Sequence, residues 1–444
     1  MFVYPKGLYV DVRIEEKMDT RISYKQGVLQ EQKVRENKGV FIRVFDGAKW
    51  FYSSLSDLSK IQDQINVLAE MATPNPSIHT HPVVQAFEVH QDEVLKYQEG
   101  SLAEISIQEK DEVLRDFLGL VKDQCIVHEM AFYVDNKTVK KLYSSKGNAI
   151  IFDKQSCGIG LQHQLVYQDH KDMLGVSSAE IYLKDLNAKK AYYQKEVEKN
   201  VDFIKRAETF EPGMYPVLLS PLATGVFTHE SFGHKSEADF MIGDETMRKE
   251  WAMGKKIGQP LLNITDNGMI LGNGYVLYDD EGTKGQETKI ITEGALTGRL
   301  HSISTSVALE EKPTGNARSI GFEFEPIVRM TTTYIEKGET PLSEIVSSIK
   351  EGVFIDTIKH GSGMSTFTIA PARAYKIVDG KIDVPIKLSV VTGNVFKTLE
   401  LVDAISEEFE LLSFVGGGCG KMEQFPLPVG FGGPFTLVRE LNVQ

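Results

Sequence analysis

Cysteine is scarce in this 444-residue chain, which contains only Cys125, Cys157 and Cys419. Three scattered cysteines exclude a disulfide framework, and they fit a reducing cytoplasm best. Long apolar runs are also missing, since none approaches the ~20 residues that a membrane span requires. Residues 1–17 mix charges with short apolar runs and lack the apolar stretch of a signal peptide. We therefore expect a cytoplasmic protein that makes no membrane contact.

Positive charge is in short supply as well. The chain has 49 lysines and arginines against 62 aspartates and glutamates, which gives a formal net charge of −13. An acidic chain without a basic stripe or a recognition module is not expected to bind nucleic acid directly. Apolar residues make up 41% and charged residues 25%, which is typical of a globular protein with a sizeable core.

Short alternations of apolar and polar residues dominate the first half and predict strands. They occur at residues 9–14, 21–24, 28–34, 39–45, 131–134, 139–144, 149–152 and 160–167. Apolar residues at helical spacing predict helices at 56–72, 106–122 and 187–206. Strands and helices do not alternate strictly, so residues 1–210 are expected to form an α+β domain with an antiparallel sheet and helices.

A break at residues 211–213, Glu-Pro-Gly, separates this domain from the rest of the chain. The second half begins with a buried strand at 215–219. Ser220 then caps, and Pro221 opens, a helix that is expected to reach residue 241. A further helix is expected at 340–350, where Thr340 and Pro341 repeat the same start pattern. Residues 211–444 are therefore expected to form a large β-structure that encloses one buried helix.

The most informative segment of the sequence lies inside that helix. His229 and His234 offer two imidazoles that can hold a transition metal, and Glu230 adds a carboxylate that need not be a ligand. Nitrogen ligands with a separate base are what a metal-activated water mechanism requires. The alternative is an amphipathic helix whose histidines simply pack or face solvent.

The spacing of the two histidines sets a condition on the backbone. Residues five apart lie about 140° apart on an ideal α-helix, which would splay the imidazoles. One π-type turn, with its i→i+5 hydrogen bond, brings such positions back to one face. Gly233 lies between the histidines and weakens the regular helix. We therefore predict a widened or kinked turn between His229 and His234.

Two histidines leave a catalytic zinc site incomplete, because such sites take three protein ligands and a water. The other histidines, a carboxylate or a cysteine are candidates for the third ligand. Cys419 stands out because glycines flank it in residues 416–420 and allow its backbone to approach another element closely. A small apolar side chain in a tight turn explains Cys419 equally well.

The chain resembles the TldD/PmbA family of metallopeptidases, historically named as modulators of DNA gyrase. Its most specific match is His-Glu-x-x-Gly-His-x-x-Glu-x-Asp at residues 229–239. Further similar segments lie at 280–282, 315–318, 329–335 and 419–421. The resemblance is to the TldD side, because the PmbA-like (TldE) side lacks the two-histidine motif. It implies that His229, His234 and Cys419 bind Zn²⁺ and that Glu230 is the catalytic base.

The same resemblance implies a zinc-dependent peptidase of short or unfolded peptides. It also implies a homodimer, or a heterodimer with a PmbA-like (TldE) paralogue. A non-catalytic regulatory protein with a structural metal site is the main alternative, and a hydrolase of non-peptide amides is another. Glu237 and Asp239 fit either supporting roles at the metal or surface charges. His170, His301 and Arg318 receive no role, and an ion pair is the expectation for Arg318.

Overall fold

A computed structural model describes residues 2–444 and has a mixed α and β architecture. The first half is built on a seven-stranded sheet in which all neighbours are antiparallel except one parallel pair. In spatial order its strands are Trp50–Leu55, Val28–Phe45, Tyr9–Lys25, Ile126–Ser144, Ala149–Tyr167 and Gln91–Val94, and His170–Glu180 also pairs with Ala149–Tyr167. The antiparallel N-terminal sheet is thus confirmed.

Short helices and one long helix cover this sheet. They are Leu58–Lys60, Ile61–Met71, Ile78–Thr80, Pro82–Ala86, Ile107–Arg115, Leu183–Asn187 and Lys190–Arg206. The helix predicted at 56–72 begins at Leu58, and the side chain of Asp57 accepts the capping hydrogen bond. Ser106 does cap its helix, which ends at Arg115 instead of residue 122.

The strands of the first half are longer than the sequence patterns predicted. Residues 9–14 and 21–24 belong to one strand, Tyr9–Lys25, and the other predicted pairs merge in the same way. Charged residues interrupt the alternation, but the neighbouring strands neutralise them. Glu16, for example, lies 3.1 Å from Nζ of Lys38 and 3.0 Å from Nζ of Lys141 on its two neighbours. Cross-strand pairs of opposite charge stabilise such positions.

The second half contains an eight-stranded sheet that closes on itself. The sheet closes because Glu351–Gly363 pairs with Gly213–Leu219 on one side and with Thr366–Val378 on the other, and the remaining strands of the ring connect these two. The other strands are Phe431–Val443, Val391–Asn394, Lys381–Lys387, Glu208–Thr209 and Val402–Leu412. The helix Pro221–Thr228 packs against Phe431–Val443 and Glu351–Gly363, so the predicted β-structure around one buried helix is confirmed.

Smaller elements complete this half. A four-stranded sheet contains Ala295–Leu296, Glu287–Thr292, Ile264–Asn267 and Thr333–Ile335, and two-stranded sheets pair Ala317–Arg318 with Ile327–Val328 and Cys419–Lys421 with Gln424–Leu427. The remaining helices are His229–Gly233, His234–Ser236, Ala238–Met241, Glu245–Glu250, Ile303–Ala308, Leu342–Ser348 and Val395–Glu400. Pro341 occupies the cap position of its helix, one residue later than predicted.

Buried polar contacts join the two halves. Nη1 of Arg43 lies 2.9 Å from Oε1 of Glu281, and Arg373 donates a 2.7 Å hydrogen bond to Asn200. Each of these contacts joins a residue before position 211 to one after it. The domain boundary near residue 211 remains a prediction. None of the helices formed by residues 2–444 has the length and apolar character that crossing a bilayer requires.

Candidate metal centre

The two motif histidines are positioned by a helix that is buried along nearly its whole length. The Ser220 side chain accepts a hydrogen bond from the Ala223 N–H, and Pro221 occupies the first turn, as predicted. Phe227 and Phe232 are fully buried in the core of the second half. The sequence therefore fixes both the start of this helix and its depth in the protein.

A π-helical turn spans His229–Gly233, as the five-residue spacing predicted. The N–H of His234 donates to the carbonyl of His229, which is the i→i+5 pattern that brings both imidazoles to one side. Gly233 packs closely against Met330: a Cβ at 233 would lie 1.8 Å from Sδ of Met330, so a larger residue would force that side chain to move. Close packing therefore fixes this part of the motif.

The helix does not continue to residue 241 as predicted. It ends at Ser236, because Glu237 has an extended backbone with ψ 111° and pairs with Leu300. The N–H of Ala238 donates to the carbonyl of Leu300, and a 3₁₀ turn then follows at Ala238–Met241. This break turns the Glu237 side chain back towards His234.

The third candidate ligand reaches the helix from a hairpin formed by Cys419–Lys421 and Gln424–Leu427. The buried guanidinium of Arg329 donates hydrogen bonds to the carbonyls of Cys419, at 2.8 Å, and Gln424, at 3.3 Å. Gly418 lets the two strands approach, since a Cβ there would lie 2.5 Å from the Leu427 carbonyl oxygen. The hairpin therefore holds the sulfur in place from both of its strands.

His229, His234 and Cys419 converge in the protein interior. One ligand atom from each lies within 4.8 Å of the other two, and Sγ of Cys419 is 3.6 Å from Nε2 of His234. Nδ1 of His229 is buried and has no hydrogen-bond partner among residues 2–444. Two imidazoles and a thiol, with an orphaned ring nitrogen, fit a borderline-soft divalent ion such as zinc. The arrangement could hold a metal.

The electrostatics of the cluster favour the ligand form of the cysteine. Burial alone would raise the pKa of the Cys419 thiol, but His229 and His234 lower it to about 5. Burial would lower the pKa of His234, but its contacts with Cys419 and Glu237 raise it to about 10. The thiolate is the form of cysteine that binds metals. The thiolate of Cys419 therefore favours a positive charge next to it in the protein interior.

Glu230 lies on the same π turn, beside the cluster but outside it. Burial raises the pKa of its carboxyl, although His229 and His234 oppose the shift. No hydrogen bond engages this carboxylate within the described chain. The hairpin formed by Glu351–Gly363 and Thr366–Val378 approaches it, since a Cβ on Gly361 would lie 3.7 Å from Cγ of Glu230. Glu230 is therefore available to exchange a proton.

Glu237 is buried and Asp239 is partly buried, and both carboxylates are paired next to the cluster. Oε2 of Glu237 accepts a 3.1 Å hydrogen bond from Nδ1 of His234. The buried ammonium of Lys421 lies 3.1 Å from the same oxygen and 2.7 Å from both carboxylate oxygens of Asp239. Burial would raise the pKa of Glu237, but His234 and Lys421 lower it. A carboxylate that stays ionised can fix the ring orientation of His234.

Other residues considered from the sequence lie elsewhere. His301 contacts Thr305 and Glu311, and His170 belongs to a strand of the first sheet. Arg318 donates to the carbonyls of Met330 and Pro428, so the expected ion pair is wrong. Lys421 and Arg329 lie in the segments 419–421 and 329–335 that resemble the family, but the sequence alone assigned neither of them the contacts seen here. The sequence did contain a signal for Lys421: it lies two residues after Cys419, so both side chains lie on the same face of a strand.

Comparisons with known proteins match both halves of the chain. A sequence model described as the PmbA/TldA metallopeptidase C-terminal domain matches residues 212–444, and one described as PmbA/TldA metallopeptidase domain 1 matches residues 10–73. A metalloprotease of Methanothermobacter thermautotrophicus is 29% identical over 98% of this chain and 95% of its own length. A zinc metalloprotease TldD homolog of Saccharolobus solfataricus is 32% identical over 70% of each chain.

A metalloprotease of Synechocystis is 40% identical, but the match spans 53% of this chain and 51% of that protein. Among solved structures, a protein from Thermotoga maritima, named as a proposed modulator of a DNA gyrase, has a TM-score of 0.77 at 18% identity. The match covers 99% of this chain and 96% of that one. TldE from Thermococcus kodakarensis has a TM-score of 0.76 at 16% identity, over 98% and 96%. These two likenesses establish the fold.

The C-terminal sequence model alone spans more than half of the chain, and the archaeal relatives extend the similarity across nearly all of it. The residues that carry the resemblance are the ones that converge in the interior. The chain belongs to the PmbA/TldD family of metallopeptidases.

Proposed function

We propose that this chain is a zinc-dependent peptidase that hydrolyses short or unfolded peptides. The observation that carries the proposal is the convergence of His229, His234 and Cys419 beside the unengaged carboxylate of Glu230. The three converging residues would hold the ion. When bound, zinc would polarise the scissile carbonyl and lower the pKa of a water towards ~7.

Glu230 is the proposed general base. Its carboxylate takes a proton from the attacking water and returns it to the leaving amine. Burial raises the pKa of Glu230, which brings it closer to neutrality and makes the second transfer easier. Glu237 holds Nδ1–H of His234, so that Nε2 keeps its lone pair for the ion.

A purely structural metal site is the competing hypothesis. Structural zinc sites are closed by four protein ligands, whereas catalytic sites keep one position for water. Only three donors converge among residues 2–444, and no further histidine, cysteine or carboxylate joins them. This geometry favours the catalytic alternative over a regulatory protein that does no chemistry.

The depth of the site limits the substrate. The side chains of His229 and Cys419 are 1% and 2% exposed, so a folded protein surface would not reach them. An extended peptide can enter where a globular domain cannot, and it can pair with a sheet edge through its backbone. As partner we propose a second copy of this chain or a TldE-like chain, a pairing suggested by the structural neighbour named TldE.

Hydrolysis should depend on a removable metal. Incubated with a panel of unstructured peptides, the full chain is expected to cleave some of them, and a chelator such as phenanthroline is expected to stop the cleavage. Added zinc should restore it, because the donor set suits that ion. Mass spectrometry of the products measures the effect, and cleavage that persists after complete metal removal would contradict the proposal.

Lys421 should tighten zinc binding without touching the ion. Replacing it by methionine removes the cation that pairs with Glu237 and Asp239 and leaves the buried carboxylate of Glu237, which contacts His234, without its ammonium partner. Loss of a group that contacts a ligand directly typically weakens metal affinity about 10–100-fold, and because Lys421 acts through Glu237 we expect a loss near the lower end, about tenfold. Competition with a zinc-binding dye would measure the change in dissociation constant.

Lys421→Arg keeps the charge and should recover much of the affinity, which loss of folding alone would not explain. Lys249→Met, at an exposed position, is the matched control and should have no effect. An unchanged zinc affinity in Lys421→Met would refute the positioning role.

A further inference from the structure

A cavity of about 240 Å³ lies between the two halves of the molecule, away from the proposed metal centre. None of the proposed ligands, and not Glu230, belongs to its wall. Its lining comes from the turn before His170–Glu180, from the end of the helix Lys190–Arg206 and from three strands of the closed sheet. Cavities between domains are frequent sites of ligand binding.

The floor of the cavity is apolar. Phe203 and Ile204 contribute from the helix and are 5% and 2% exposed. The sheet supplies the opposite wall, and its apolar residues there are Pro371, Ala372, Ala374, Ile386 and Leu388. Such a surface would release water on contact with the hydrocarbon part of a ligand.

Charges line the rim, and they do not balance. Lys171, Lys359 and Lys387 face two carboxylates, Asp169 and Asp172. Lys359 forms an ion pair with Asp172: its Nζ lies 2.6 and 2.9 Å from the two carboxylate oxygens. The ammonium of Lys387 has neither a hydrogen bond nor an ion pair among residues 2–444.

Lys387 is only partly exposed, and burial lowers its pKa although the charge of Asp172, which Lys359 already binds, opposes the shift. A partly desolvated ammonium without a partner is unfavourable, and an anion at hydrogen-bond distance would relieve that cost. Charge-assisted hydrogen bonds to carboxylates are among the stronger polar contacts in proteins. The missing element at this rim is therefore an acceptor with negative charge.

We propose that this cavity binds a small carboxylic acid with an apolar body, of about the size of an N-acylated amino acid. The apolar body lies on the floor formed by Phe203 and Ile204, and the carboxylate accepts a hydrogen bond from the ammonium of Lys387. The volume lies below the ~300–1,000 Å³ of sites for drug-sized ligands, which excludes a peptide of several residues. This inference is independent of the proposed peptidase function.

Isothermal titration of the full chain tests the proposal with three probes. N-acetyl-L-leucine has both the carboxylate and the apolar body. N-acetyl-L-leucinamide, the corresponding primary amide, lacks the negative charge, and acetate lacks the apolar body. Only N-acetyl-L-leucine is expected to bind measurably. Binding of the amide with equal affinity, or of none of the three, would overturn the proposal.

Two variants locate the binding. Lys387→Met keeps the length of the side chain and should weaken binding about tenfold or more, whereas Lys381→Met, exposed on the same strand and outside the cavity, should not change it. Ala372→Phe should abolish binding by filling the space while leaving Lys387 in place. Unaltered affinity in Lys387→Met, or in a folded Ala372→Phe, would show that the probe binds elsewhere.

Discussion

Glu230→Gln is expected to abolish peptide hydrolysis while the protein keeps its metal. The amide has nearly the shape of the carboxylate but cannot accept the proton of the attacking water. General acid–base catalysis typically accelerates a reaction about 10²–10⁴-fold, so kcat on a fluorogenic peptide should fall by a factor of about 10² or more. The zinc content should stay at the wild-type value, because Glu230 lies outside the group of three donors.

The two measurements together separate the base role from a structural one. Glu245→Gln makes the same chemical change at an exposed site, where the side chain is 88% accessible, and it should leave kcat unchanged. A Glu230→Gln protein that holds zinc and still cleaves peptides at the wild-type rate would exclude Glu230 as the base. Loss of zinc in this variant would instead make Glu230 a ligand.

The second large effect is expected from Cys419→Ala, which should lose the metal altogether. This substitution removes the only sulfur of the cluster and leaves two imidazoles held by one helical turn. The loss in zinc affinity should exceed the ~10–100-fold that removal of a supporting residue costs. Elemental analysis after dialysis should find the wild type with bound zinc and the variant without it.

The chain provides a matched control in Cys125, which is also buried and lies in another core cluster. Cys125→Ala makes the same small cavity without touching the metal centre, so it should retain zinc. Thermal unfolding of the metal-free proteins checks that both variants fold. Equal zinc contents in the two variants would mean that the sulfur of Cys419 is not a ligand.

The local geometry of the metal centre could be predicted because it depends on sequence spacing alone. A five-residue interval between His229 and His234 can present both rings to one ion only through a widened turn. The partner of these histidines could not be derived in that way. Cys419 lies 185 residues after His234; its flanking glycines made it a candidate, and the family resemblance favoured it over a cysteine that merely packs in a tight turn.

The supporting residues show the limit of sequence reasoning more sharply. From the sequence, Glu237 and Asp239 fitted surface charges as well as supporting roles at the metal. Their burial follows from the break after Ser236 and from the strand pairing with Leu300, which no local pattern predicts. Lys421 joins them only once the cysteine hairpin has docked.

The fold class was predictable from the mixture of strand and helix patterns, but the length of the strands was not. Alternation fails wherever a long strand carries charges, as at Glu16. Lysines from two other strands stabilise Glu16, and these lysines are not part of the short stretch of sequence around it. Sheet pairing, and not local propensity, therefore decides where these strands end.

The late position of Cys419 has a consequence for biosynthesis. A ribosome releases both motif histidines long before it reaches the sulfur, and before it makes Phe431, whose ring lies 4.8 Å from that of His229. A nascent chain therefore carries the two histidines without the cysteine while 185 further residues are added. A premature stop codon between residues 240 and 418 would yield a polypeptide that keeps the signature motif but lacks the sulfur, so it should not assemble the proposed three-residue metal site.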